Sequence, residues 1–197
     1  MASKNVASQL FDADCLERPA LEVAPMLLGA VLCVGGRSGV IVETEAYGGS
    51  DDPASHAFAG QTKRNRSMFG PPGVLYVYLI YGIHWCANVV CGSEGEGSAV
   101  LVRALEPVAG IEEMRASRPQ AKKLTELCSG PGKLTASLEI DRRYDGVDLT
   151  DPANNVQLLI GQKVLSVTTG PRVGITKAVE FPWRFGVEGN PHISRPF

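Results

Sequence analysis

The stretch Val74-Leu75-Tyr76-Val77-Tyr78-Leu79-Ile80-Tyr81, then Gly82-Ile83, then His84-Trp85-Cys86-Ala87-Asn88-Val89-Val90-Cys91, sets the fold class. Two β-branched and aromatic runs flank a short glycine turn, a pattern that predicts a β-hairpin. Upstream, Gly39 to Tyr47 alternates, with Val40, Val42, Thr44 and Ala46 on one face and Ile41, Glu43, Glu45 and Tyr47 on the other. That is a strand with acids on a partly buried side. Ala99 to Leu105 predicts another strand, and Val156 to Thr169, Arg172 to Ala178 and Trp183 to Val187 predict later ones. Helices are fewer. Leu16 to Leu32 reads as one or two short helices closed by Gly29, Pro107 to Arg118 as a helix with proline in its first position, and Gly130-Pro131-Gly132 as the opening of a helix through Leu138. Between them, residues 48–73 form a long loop rich in Gly, Asp, Pro, Ser and Asn, of the kind that carries function in compact domains. The expectation is one α+β domain over residues 1–197: a mainly antiparallel curved β-sheet with surrounding helices and a protruding β-hairpin. Residues 1–15 are expected to be a loosely ordered N-terminus.

Composition narrows the class. With 197 residues, 44% hydrophobic and 20% charged, the chain can build one core and is too apolar to be disordered. No stretch approaches the roughly 20 apolar residues that cross a bilayer, and Met1-Ala2-Ser3-Lys4 leads into polar sequence. A soluble, intracellular protein without a membrane partner is expected, in the cytoplasm or nucleoid of a bacterium or the nucleus of a eukaryote. The five cysteines include no CxxC pair and the three histidines are scattered, so neither a disulfide framework nor a metal site is expected.

The net charge of −2 hides an uneven distribution. Residues 1–52 hold three basic and eight acidic side chains, whereas residues 53–93 hold Lys63, Arg64 and Arg66 and no acid. Six of the thirteen aromatics, Tyr76, Tyr78 and Tyr81 among them, also fall in that acid-free window. A basic, aromatic stretch inside an acidic protein suits a face turned toward a phosphate backbone.

Several residues are candidates for chemistry. Glu43 and Glu45 stand two apart in a strand, about 6.6 Å between Cα atoms, and share a face. Paired carboxylates resist joint ionisation, and the more buried one is pushed toward a pKa useful to a general base acting at an acetal-type carbon. Tyr47 on the same face offers an aromatic wall. Tyr81, at the hairpin turn, exposes apolar surface that a partner would cover. Asn88 in an apolar run must find hydrogen bonds, and Arg103 in an apolar strand needs a carboxylate, with Glu43 or Glu45 the natural partners.

Read together, Val42-Glu43-Thr44-Glu45-Ala46-Tyr47, His56, Gln61-Thr62-Lys63-Arg64-Asn65-Arg66-Ser67-Met68-Phe69 and the run Pro72 to Gly82 resemble the alkyladenine (3-methyladenine) DNA glycosylase family. The resemblance continues through Asn88, Val102-Arg103-Ala104-Leu105-Glu106-Pro107, Leu127-Cys128-Ser129-Gly130-Pro131-Gly132-Lys133-Leu134 and Arg172-Val173-Gly174. It implies a monofunctional base-excision repair enzyme that flips alkylated or deaminated purines out of double-stranded DNA and hydrolyses the N-glycosidic bond with an activated water, without cofactor or metal. By that resemblance Glu45 is the general base, and Arg103 and the Val173 carbonyl hold the water. Tyr47, His56 and Tyr78 wall the base pocket, and Asn88 crowds the exocyclic amino group of guanine. Tyr81 fills the gap left in the duplex, and Lys133 and Arg142 lie near the DNA backbone, with Arg64 and Arg66 of the basic window joining them. No lysine falls within the carboxylate–tyrosine motifs, so a water nucleophile is expected rather than a Schiff base. Two other readings of the same residues stand beside this one: a carbohydrate-active hydrolase using Glu43 and Glu45, and a non-catalytic nucleic-acid-binding module stacking bases on Tyr78 and Tyr81.

Overall fold

A computed structural model describes residues 9–197. These form α1 (Ala20–Met26), β1 (Val31–Val34), β2 (Arg37–Gly48), β3 (Leu75–Ile80), β4 (His84–Cys91), β5 (Ser98–Ala109), α2 (Ile111–Ser117), α3 (Pro131–Leu138), β6 (Val156–Leu159), β7 (Val167–Gly170) and β8 (Arg184–Val187). The strands join in one eight-stranded sheet, ordered β3-β4-β5-β2-β1-β6, with β8 on β2 and β7 on β8. Every pairing is antiparallel, as the α+β expectation required.

Strand alternation divides the sheet into two faces. Leu75 and Val77 of β3, Ala87 and Val89 of β4, and Val100 and Val102 of β5 meet the helices in the larger core, where Val23, Leu27, Met114, Leu134 and Leu138 are also buried. Tyr76, Val90 and Ala99 point the other way, into a smaller cluster with Ala57 and Met68 of the long loop, against which Tyr47 and Tyr78 pack. One face carries stability; the other faces a cavity.

β2 is the central strand. It pairs with β5 along its length, with β1 through its first half and with β8 through Glu43 to Glu45, so no edge there is open. Its alternation departs from the sequence pattern. Register shifts between Ile41 and Glu43 and between Glu43 and Thr44 leave Val42 and Arg103 out of the ladder. Ile41 accordingly packs in the helix-side core and not beside Glu43, because a bulge changes the phase of the strand. The acids are fully buried, where the alternation predicts a partly exposed side.

Three other expectations need correction. Pro107 lies within β5, paired with Gly39 beside the register irregularity at Ser38/Gly39, where a missing N–H is tolerated, and the helix begins at Ile111. The predicted strand Val156 to Thr169 is two short strands, β6 and β7. Arg172 to Ala178 is irregular: Gly174 and Ala178 have φ of 80° and 50°, outside the extended region. Of the stretch 1–15 expected to be loose, residues 1–8 lie outside the described residues. Leu10 bridges Leu159, and Phe11 donates its N–H to the Leu158 carbonyl at 2.8 Å.

Burial predicts where substitutions matter. Leu105→Ala, in the helix-side core, is expected to cost about 2–5 kcal/mol of folding free energy by denaturant titration. Leu165→Ala, at a position 90% exposed, is expected to change it by less than about 0.5 kcal/mol. Equal effects would contradict this core.

Candidate active site

Glu45 on β2 has no exposed surface. Its Oε1 accepts the Val173 backbone N–H at 2.7 Å and faces Arg103 Nη1 of β5 at 3.2 Å, while Oε2 accepts the Tyr47 hydroxyl at 2.9 Å. A carboxylate oxygen can accept more than one donor, so Oε2 keeps capacity for another. Burial, the largest influence, pushes the carboxyl above its ordinary range. Arg103, the Val173 N–H and the Tyr47 hydroxyl pull it back, and Glu43 adds the smallest push. Desolvation therefore outweighs the glutamate–glutamate repulsion that the sequence suggests. The reason is that Glu43 faces two guanidiniums, Arg103 Nε at 3.3 Å and Arg184 Nη1 at 3.2 Å.

The groups that hold Glu45, namely Tyr47, Arg103 and Val173, line a cavity of about 570 Å³. The carboxylate stands one layer behind that wall. Tyr78 stacks on Tyr76 at 5.3 Å between centroids and meets the edge of His56 at 4.5 Å. His56 Nδ1 lies 3.0 Å from the Tyr76 hydroxyl, and Asn88 donates from Nδ2 to the Tyr76 carbonyl at 3.0 Å. The fold thus gathers Tyr47, His56, Tyr78 and Asn88 around one cavity. Burial pushes the phenols of Tyr47, Tyr76 and Tyr78 upward, and the Cys86 thiol, also in the lining, up to about 11. All four are neutral at physiological pH, so the walls offer π faces and donors without negative charge.

The turn Ile80-Tyr81-Gly82-Ile83 is closed by Ile83 N–H donating to the Ile80 carbonyl at 3.2 Å, with φ of 53° at Tyr81 and 71° at Gly82. Positive φ at both central positions is the primed-turn geometry, which glycine eases at the second and which Tyr81 adopts at a cost. Tyr81 is 79% exposed beside the cavity mouth. Among the described residues, the lining includes Arg103, Lys177 and Arg195 and no Asp or Glu. The opposite holds in a second groove, which carries Glu17, Asp51 and Glu96.

The remaining basic candidates are dispersed. Arg64 donates to the Leu79 carbonyl at 2.8 Å and lies 5.9 Å from the Tyr78 ring centroid. Arg66 is exposed at the head of the 3-10 turn Arg66–Phe69, and Lys133 is exposed in the first turn of α3, donating to Ser129 Oγ at 3.3 Å. Arg142 is exposed on the turn Arg142–Tyr144, outside the cavity lining. Val173 reaches Glu45 through its N–H.

Sequence reading missed two residues. Arg172 is fully buried, bound to both oxygens of Asp52 (Nη2–Oδ1 2.8 Å) and to the Ala46 carbonyl at 2.9 Å. Its guanidinium lies between the rings of Tyr47, at 4.7 Å, and Trp183, at 4.9 Å. A single arginine after Gly-Pro carries no local pattern that would reveal a partner 120 positions away. Lys177, set aside with the other lysines, lies in the cavity lining, its Nζ 5.7 Å from the Phe58 ring centroid.

His56 supplies a test. Burial first, and Arg64 second, hold its imidazole below the ordinary 6.5. With the folded value depressed, the unfolded chain binds the proton more readily, and this residue's contribution to stability falls as pH drops through 6.5. In an NMR titration, the His56 midpoint is expected below 6.5, and Arg64→Ala is expected to raise it part of the way. An unmoved midpoint would disconnect the two residues.

A family model described as methylpurine-DNA glycosylase matches residues 14–191. A protein of Rhodopseudomonas palustris (strain HaA2) is 53% identical over 180 residues, which is 91% of this chain and 88% of that protein. One of Agrobacterium fabrum is 53% identical over 92% of this chain and 90% of its own length, and one of Nitrosospira multiformis 49% identical over 90% of each. All three carry the name "Putative 3-methyladenine DNA glycosylase". With the family model spanning most of its length and identity near one half, this chain belongs to the methylpurine-DNA glycosylase family.

Proposed function

We propose that this protein is a monofunctional DNA glycosylase of base-excision repair, which draws alkylated or deaminated purines out of damaged duplex DNA and hydrolyses their N-glycosidic bond. The observation that carries this reading is the placement of Glu45: a buried carboxylate whose three donors are themselves the wall of a tyrosine-lined, cation-bearing cavity. A base inside a duplex hides its glycosidic bond, so the nucleotide must leave the stack at a cost of a few kcal/mol, least for damaged bases. Tyr81, exposed at the hairpin tip, suits the gap left behind. The Tyr47, Tyr78 and His56 faces suit a flat purine, and a cationic lesion gains roughly 0.5–2 kcal/mol from tyrosine faces beyond neutral stacking. Asn88, tied to the Tyr76 carbonyl, is assigned to crowd the exocyclic amino group of guanine.

In the reaction, water attacks C1′ of the deoxyribose, its proton passes to Glu45, and the C1′–N bond breaks with its electron pair leaving on the base. Arg103 and the Val173 N–H keep Glu45 ionised, and the Val173 carbonyl is assigned the other hydrogen of the water. The product is an abasic site. A cationic base such as 3-methyladenine departs neutral and needs no acid. Lys177 has its ammonium over Phe58, so the nucleophile is assigned to water. Arg64, Arg66, Lys133 and Arg142, exposed on separate turns and on α3, are assigned to the phosphate backbone. A sugar hydrolase built on the same strand needs a second available carboxylate, and Glu43 is engaged by Arg103, Arg184 and Ser194. A pure binding module has no use for a buried glutamate directly behind the pocket wall.

Base release from duplexes carrying 3-methyladenine, 1,N6-ethenoadenine or hypoxanthine tests the reading. Glu45→Gln is expected to lower release by about 10²–10⁴-fold while damaged-DNA binding persists. Retained activity would remove Glu45 as the base. Because Glu45 acts ionised and burial raises its pKa, the wild-type rate is expected to fall on the acid side with a midpoint above 4.5. Tyr81→Ser is expected to weaken binding to damaged duplex more than to damaged single strand, and an equal loss on both would count against the wedge.

A further inference from the structure

Glu45 is held by Arg103, and Arg103 is held in turn by a segment far away in the chain. Ser194 Oγ accepts from Arg103 Nη2 at 3.1 Å and Nε at 3.4 Å, and donates to Glu43 Oε1 at 2.9 Å. Its backbone N–H donates to Glu43 Oε2 at 2.5 Å. Residues 194–197 are anchored behind it: Arg184 Nη1 donates to the Arg195 carbonyl at 3.3 Å and Nη2 to the Pro196 carbonyl at 2.9 Å, and the Arg184 guanidinium lies 3.9 Å from the Phe197 ring centroid. Phe197 rests where β7 and β8 lack side chains. A Cβ on Gly186 would come within 2.5 Å of its ring, and one on Gly170 within 3.1 Å.

We propose that the segment Ser194–Phe197 is a strap that positions Arg103 against Glu45, with Ser194 the positioning residue and the Phe197 seat on Gly186 its anchor. Arg103 offers Nε and Nη2 to the strap and Nη1 to Glu45, so a planar guanidinium fixed at one edge fixes the other. Without the strap, Glu43 loses two donors and Arg103 two acceptor contacts, and the guanidinium can turn toward Glu43 and away from Glu45. Catalytic geometry is sensitive to displacements of about 1 Å.

The inference rests on the glycosylase reading, and the test separates the two. Single-turnover base release is measured across pH for wild type, Ser194→Ala, Ser194→Thr and Gly186→Ala, alongside binding to duplex carrying a non-hydrolysable abasic analogue. Glu45 is faced by Arg103 from β5, Tyr47 and Glu43 from its own strand, Cys86 from β4, Arg184 from β8 through Glu43, and the Val173 N–H. Of these, Arg103 is the group the strap governs, and it favours the ionised form. Ser194→Ala is therefore expected to slow release about tenfold and to move the acid limb to higher pH, with analogue binding unchanged. Ser194→Thr restores both, and Gly186→Ala, which displaces Phe197, reproduces the shift of the acid limb. Wild-type protein that releases no base would sink the glycosylase reading itself. Active wild type with an unshifted acid limb in both Ser194→Ala and Gly186→Ala would overturn the strap alone, as would a loss confined to analogue binding.

Discussion

Two carboxylates and two guanidiniums, withdrawn from water at the middle of β2, are the constraint on which the rest of this molecule turns. Glu43, Glu45, Arg103 and Arg184 are each at most 6% exposed, and such charges are retained only where partners and hydrogen bonds offset their desolvation. Each has several. Arg103 spans both glutamates, Arg184 closes Glu43 from β8, and the irregular segment after β7 delivers the Val173 N–H to Glu45. Removing one partner would leave an uncompensated buried charge, so the cluster couples strands and loops that are otherwise remote in sequence. It also leaves the two glutamates unequal. Glu43 meets two guanidiniums, those of Arg103 and Arg184, whereas Glu45 meets Arg103 alone and burial pushes its carboxyl above the ordinary range.

Charge is arranged on a larger scale too. The protein is acidic as a whole, yet the lining of its main cavity combines cations with phenols that burial keeps neutral. A polyanion can approach such a mouth, and a positively charged ring can be held inside by quadrupoles in place of carboxylates. Arg172 refines this picture. Its guanidinium packs against the Tyr47 ring, while Asp52 balances its charge. A pocket wall is thereby stiffened without adding a formal charge to its surface.

The bulge at Val42 shows how the sheet and the site depend on each other. A regular β2 would place Ile41 beside the glutamates; the phase change sends Ile41 into the helix-side core and leaves Glu43, Glu45 and Tyr47 on the cavity side. Arg103 drops out of the ladder at the same point, and its side chain bridges both acids. An irregularity that weakens pairing locally is what assembles the charges.

The sequence alone determined the hairpin with Tyr81 at its turn, the α+β class and the glutamate-bearing strand with Tyr47 on the same face as Glu45. These are written in short-range patterns: alternation of period two, a glycine-bearing turn and blocks of consecutive residues. Tertiary structure decided the rest. It set the phase change in β2, the loop in place of a strand at Arg172 to Ala178, the burial that governs the Glu45 pKa, the Arg172–Asp52 pair and the grip of Ser194 on Arg103. Those features join residues as many as 120 positions apart, and neither desolvation nor a hydrogen bond across such a distance leaves a mark on neighbouring residues. Only packing brings the partners within reach and removes the water between them.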